Sequence, residues 1–116
     1  MRIIALLSIV FVTAGSLDAE AQLLPTKLRV TVIDGLGNFV EDATVALYEN
    51  ERDYLASENP VAVLKSDKKG RVMFKDLKTI SYFIEAKKGD QTNDGEGVQT
   101  AVLSEGKVNR VNTVIE

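Results

Sequence analysis

The densest collection of hard oxygen donors in the chain is Asp90-Gln-Thr92-Asn93-Asp94-Gly95-Glu96-Gly97, and donors at that density are what a calcium ion requires. Asp90, Thr92, Asp94 and Gly95 match the first, third, fifth and sixth positions of a twelve-residue calcium loop. The twelfth position needs a bidentate glutamate and is Ala101, and no helix-like pattern flanks the segment. Asp90, Thr92, Asp94 and Glu96 are therefore a calcium candidate set that competes with a plainer reading. In that reading the segment is a solvated loop built from Asn, Asp and Gly because they accept turn geometry. The plainer reading is preferred, and the sequence requires no metal or other cofactor.

Other chemistries are limited by what is absent. With His 0 and Cys 0 there is no histidine general base, no Ser-His-Asp triad and none of the usual zinc ligand sets. Paired carboxylates and Ser-Lys chemistry stay formally open, but no serine stands in a Gly-x-Ser-x-Gly turn. The reading is that the chain is not an enzyme. Binding is the remaining option. Tyr48, Tyr54 and Tyr82, with Phe39, are candidates for a stacking surface. Tyr48 and Tyr82 sit inside strand patterns and should pack in or beside the core. Tyr54 lies in the polar segment Glu49 to Pro60, either as an exposed contact or as a cap over the end of the fold. Arg52 and Asp53 beside it, and Asn93 in the later polar segment, complete the binding candidates. The absence of tryptophan weighs against carbohydrate. Lys68-Lys69 and Lys87-Lys88 read as solvated charges that blunt edges.

The elements that must position these residues alternate with a period of two. Leu28, Val30 and Val32 share one face of a first strand, and Ala43 to Tyr48 resumes the alternation after Gly35-Leu-Gly37-Asn38, which predicts a hairpin-like pair. Val61 to Lys65 and Arg71 to Lys75 flank Asp67-Lys-Lys-Gly70, a strong hairpin signal in which Gly70 takes the left-handed position. Ile80, Tyr82, Ile84 and Ala86 face one way, with Ser81, Phe83, Glu85 and Lys87 facing the other. Val98 to Leu103 and Val108 to Ile115 are two more extended runs. Seven short strands with Gly-bearing turns and little helix predict an all-β, seven-stranded Greek-key sandwich.

The first residues have the layout of an export signal. Met1-Arg2 is followed by the uncharged, mostly apolar run Ile3 to Gly15, shorter than the about 20 residues of a membrane-spanning helix. Ala19-Glu20-Ala21 places small residues where a signal peptidase cuts. The expected division is a signal peptide, 1–21, and one domain, 22–116, with no membrane span after cleavage. Losing Arg2, Asp18 and Glu20 with the leader moves the net charge from −3 to −2, which argues against nucleic acid as a partner. Without cysteine the core holds the domain unaided and no acyl anchor is possible at an N-terminal cysteine. The expected location is periplasmic or secreted, with a bacterium as the simplest setting.

Three motifs in order, Asp34-x-x-Gly37-x-x-Val40-x-x-Ala43-x-Val45-x-Leu47-Tyr48, Asp67-x-x-Gly70-x-Val72-x-Phe74-x-x-Leu77 and Tyr82-x-Ile84-x-Ala86-x-x-Gly89, resemble the carboxypeptidase regulatory-like domain. The resemblance covers about two thirds of the chain after the leader, and it implies the transthyretin-like, or prealbumin-like, sandwich. These are scaffold motifs and carry no active residues. Where the family shows Pro and Gly before the tyrosine, this chain has Lys78-Thr-Ile-Ser81. Transthyretin-like hydrolases of hydroxyisourate rely on histidines that are missing here. The related collagen-adhesin B-type repeats close a Lys–Asn isopeptide bond beside a buried acid. Val32 stands in the lysine's place and Ala86 in the acid's, so no such bond is expected at Asn109 or Asn112.

Three functions follow, in order of preference. The first is a binding or structural accessory module of the cell envelope, meeting a protein through Glu49–Asn59 and Asp90–Gly97. The second is a glycan-binding module using Tyr54 and carboxylates, with calcium as an option. The third is a carboxylate-dependent hydrolase.

Overall fold

A computed structural model describes residues 24–116. The expected signal peptide and its cleavage point lie outside the described residues. Among the described residues, no helix is long and apolar enough to cross a membrane.

Among the described residues, seven strands form two sheets. β1 (Lys27–Asp34), β4 (Arg71–Phe74) and β7 (Val108–Ile115) make a three-stranded sheet in the order β4-β1-β7. β2 (Thr44–Tyr48), β3 (Ala62–Lys65), β5 (Phe83–Lys88) and β6 (Gln91–Thr92) make a four-stranded sheet in the order β3-β2-β5-β6. Every pairing is antiparallel except β1 with β7. The two-residue period does what the sequence predicts: Leu28, Val30 and Val32 of β1 meet Val45 and Leu47 of β2, Val72 and Phe74 of β4, and Ile84 and Ala86 of β5 in one buried aliphatic core. Tyr82 is buried there too, and its hydroxyl accepts the Lys78 N–H at 2.9 Å, which closes the turn formed by Lys78–Ser81.

Two hairpin expectations need correction. β1 and β2 lie in different sheets, and so do β3 and β4. Each predicted turn is real but short-lived as a ladder. After Asp34 the chain folds back only as far as an isolated bridge between Ile33 and Phe39, and Val40 N–H donates to Val32 O at 3.0 Å before the chain crosses to the other sheet. After Asp67 the backbone closure is limited to the turn itself, with Asp67 N–H donating to Arg71 O and Gly70 N–H to Asp67 O. Both turns are therefore corners of the sandwich. Their strands separate because the apolar residues on each side are needed in opposite sheets.

The strand expected at Val98 to Leu103 is also corrected. The segment runs beside β5, with Val98 O accepting from Ile84 N–H and Thr100 N–H donating to Tyr82 O, but the Tyr82 N–H goes to the Thr100 hydroxyl instead of a carbonyl. The Ser81 hydroxyl in turn donates to Thr100 O. Side-chain hydroxyls thus replace ladder bonds, and the regular pairing is interrupted. The strand count stays at seven because Gln91–Thr92, inside the predicted polar loop, forms β6.

Candidate functional site

The polar segment after β2 is not a loop. It contains a short helix, α1 (Glu51–Ala56), with Asn50 at its N-cap: the Asn50 side chain accepts from Asp53 N–H at 2.8 Å and donates to Asp53 Oδ2 at 3.0 Å. Ser57 closes the other end in a left-handed conformation, φ 52, with its N–H on Asp53 O and Tyr54 O. The signal was present in the sequence as Asn50-x-x-Asp53, an N-cap followed by an acid at the third helical position.

α1 does not cap an end of the sandwich. It lies on the outer face of the four-stranded sheet. Tyr54 stacks on Phe83, ring centres 5.7 Å apart, and meets Tyr48 edge-on at 6.0 Å. Tyr48 pairs with Phe83 across β2 and β5 and so points away from the main core, yet it is only 2% exposed, and its neighbour on that face, Ala46, is 5% exposed. The helix therefore makes a second, small apolar layer that the two-residue period does not reveal. Phe39, expected to join a stacking surface, instead bridges to Ile33 of β1 and is 61% exposed; Phe83 takes its place beside Tyr54.

Glu85 organises the polar part of this face. Its carboxylate accepts from the Tyr48 hydroxyl at 3.1 Å and the Ser57 hydroxyl at 2.9 Å, and Lys87 Nζ lies 3.5 Å away. Burial, followed by the Glu85 charge, raises the Tyr48 pKa above the usual phenol value. Burial, followed by the charges of Asp94 and Glu85, does the same for Tyr54. Both phenols stay protonated at neutral pH, and that of Tyr48 donates to Glu85. Together Tyr54, Leu55, Glu85, Lys87, Thr92 and Asp94 line an open depression of about 480 Å³. It joins the two segments singled out from sequence, α1 and the stretch after β5, on one surface.

The individual candidates divide. Tyr54, Thr92 and Asp94 line the depression. Arg52 is exposed and its Nε lies 3.7 Å from Asp53 Oδ1, while Asp53 is largely covered and engaged in the helix cap. Asn93 is a correction. It is 1% exposed and cannot contact a partner: its Oδ1 accepts from Ala86 N–H at 3.0 Å, and its Nδ2 donates to Ile84 O at 3.0 Å and Thr113 Oγ1 at 2.9 Å. It joins β5 to β7 through the interior. The calcium set is not gathered: Asp90, Asp94 and Glu96 are exposed, Thr92 Oγ1 accepts from Asp94 N–H at 3.4 Å, and among the described residues no three acids converge to hold a metal ion. Sequence reasoning missed Leu55, Glu85 and Lys87, which reach the depression only because α1 lies over the sheet.

Val32 and Ala86, the positions compared with an isopeptide lysine and acid, are both fully buried among aliphatics. The Asn109 amide donates to the carbonyls of Lys27 and Ser104, and Asn112 is exposed.

No family model matches the sequence, and no curated protein matches it. Solved structures do. A streptococcal ancillary pilin superposes with a TM-score of 0.58 and 17% identity over 80% of this chain, which spans 32% of the pilin chain. The Bacillus anthracis TIE protein gives a TM-score of 0.55 and 18% identity over 79% of this chain, which spans 17% of that protein. At these identities the likeness is one of fold: a β-sandwich that occurs as one portion of larger chains.

Proposed function

We propose that this protein is a non-catalytic accessory module of the cell envelope, exported through a cleaved leader, that binds a protein partner through the depression between α1 and β6. The observation that carries the reading is the depression itself. α1, seated on the sheet, presents exposed Leu55, 72% accessible, beside the Tyr54 ring and a mixed set of charges, Glu85, Lys87 and Asp94. An apolar anchor with a polar rim is how protein partners are held. The residue types there supply hydrogen bonds and charge but no histidine or cysteine nucleophile or base. The occurrence of the same fold within a pilin and the TIE protein supports a surface role. Assignment to the carboxypeptidase regulatory-like, prealbumin-like class is supported by the two Asp-x-x-Gly corners and by the inward placement of Val45, Val72, Phe74 and Ile84.

The test is a pull-down from envelope extract with the parent and with Leu55→Asp, a change at an exposed position that leaves the fold intact. The parent retains a specific partner and the variant loses it. A variant that keeps every partner refutes the assigned surface. Binding that appears only on a glycan array, and vanishes with chelator, transfers the site to a sugar.

A further inference from the structure

The outer face of the other sheet carries an unbalanced charge. β1 presents Lys27 and Arg29 there, β4 presents Arg71 and β7 presents Arg110, and no outward position of the three strands is an aspartate or glutamate. This concentration of cations belongs to a chain whose net charge is −3. Arg29 and Arg110 are register partners on adjacent parallel strands, so they leave the sheet about 4.8 Å apart. Like charges placed opposite one another repel. Among the described residues neither has an ion-pair partner.

Arg29 adds a second, independent observation. Its Nε is buried and meets no acceptor. A buried donor without a partner is unfavourable and marks a place where an acceptor is expected. Beside it is a depression of about 210 Å³ lined by Arg29, Asp67, Arg71, Val72 and Met73. Asp67, the carboxylate present, is already engaged. Its Oδ1 accepts from the N–H groups of Lys69 and Arg71, and its Oδ2 lies 4.0 Å from Arg71 Nε. It neither reaches Arg29 by hydrogen bond nor offsets Arg110.

We infer that this face is a phosphate-binding site, with Arg29 and Arg110 as its principal ligands and Arg71 on its flank. Guanidinium groups match oxyanions through parallel N–H donors. Cations rising from three neighbouring strands suit inorganic phosphate or a terminal phosphate monoester, with three or more free oxygens and up to two negative charges, better than a carboxylate with two oxygens and one charge. The phosphate is either free or carried on a lipid headgroup. This site is on the opposite sheet from the α1 depression and does not depend on the function proposed for it.

The experiment is a titration of the full chain, followed by amide chemical shifts, with inorganic phosphate against sodium chloride at matched ionic strength. The expected result is saturable shifts confined to β1, β4 and β7, with affinity reduced about tenfold or more in Arg29→Gln and in Arg110→Gln. A parallel arm uses vesicles of phosphatidylcholine with phosphatidic acid, whose headgroup is a terminal phosphate, and of phosphatidylcholine alone. Co-sedimentation with the anionic vesicles alone makes the source a lipid; saturation by phosphate without vesicle binding makes it a soluble phosphate. Equal shifts with chloride, or unchanged phosphate affinity in folded variants, would overturn the inference. Should Arg29→Gln fail to fold, Arg110→Gln at an exposed position decides it.

Discussion

The corner turns and the Asn93 segment solve the same problem, satisfying backbone groups where ladders stop, in opposite ways. At the corners the solution is local. Asp34 Oδ1 accepts from the N–H groups of Leu36 and Asn38, each at 2.9 Å, and Asp67 Oδ1 accepts from those of Lys69 and Arg71, at 2.8 and 2.9 Å. In both, a glycine three residues after the aspartate takes positive φ, 87° at Gly37 and 71° at Gly70. At Asn93 the solution is distant, since its side chain serves Ala86, Ile84 and Thr113. A local device can be read from spacing. A distant one is visible only after the chain has folded.

The comparison is sharpest at glycine. A Cβ on Gly70 would stand 2.4 Å from Val32 O and 3.2 Å from Val40 N, in a conformation that side chains resist, whereas a Cβ on Gly37 meets nothing within 4 Å. Gly70→Ala is expected to cost roughly 3–5 kcal/mol in denaturant unfolding, and Gly37→Ala only about 1 kcal/mol from backbone strain. Equal losses would mean that the two corners are not packed as described. Asn93→Ala should come next, at about 3 kcal/mol, because it strands the Ala86 N–H and Ile84 C=O in the interior. A loss below about 1 kcal/mol would show that Asn93 is a surface residue after all.

Tyr54→Ala should cost about 2 kcal/mol by removing the ring that covers Tyr48 and Phe83. Thermal unfolding checks it. A neutral result would detach α1 from the sheet.

The smallest expected effect is on acid stability. Backbone donation, chiefly from Asn38 to Asp34 and from Arg71 to Asp67, holds both carboxyls below the ordinary aspartate pKa. A depressed native pKa stabilises the fold above the unfolded value of about 3.9 and loses that contribution as pH falls through the native values. The double variant Asp34→Asn, Asp67→Asn should therefore show a flatter loss of stability between about pH 5 and pH 2 than the parent. Parallel curves for the two proteins would leave the corners without an electrostatic role.

The same contrast explains what was legible in advance. The inward positions of β1, β4 and β5, the paired aspartates and the left-handed Gly70 all follow from contacts a few residues apart or from alternation, and the structure has them. Assigning β2 and β3 to the sheet opposite β1 and β4 required knowing how strands share a core, which turn chemistry does not encode. Asn93 carries the composition of a loop residue, and nothing nearby signals that it is buried. The Val98–Leu103 segment alternates like a strand, but Ser81 and Thr100 hydroxyls displace its ladder. α1 was announced by Asn50 and Asp53 and hidden by its length, only six residues.

The proposed partner surface is the one built by α1 and β6. The most direct measurement is photo-crosslinking in envelope preparations, with a photoreactive residue in place of Leu55 and, separately, in place of Leu36, which is 89% exposed and does not line the depression. The expected result is a discrete crosslinked protein from position 55 and none from position 36. Crosslinks from position 36 alone, or the same products from both, would contradict it.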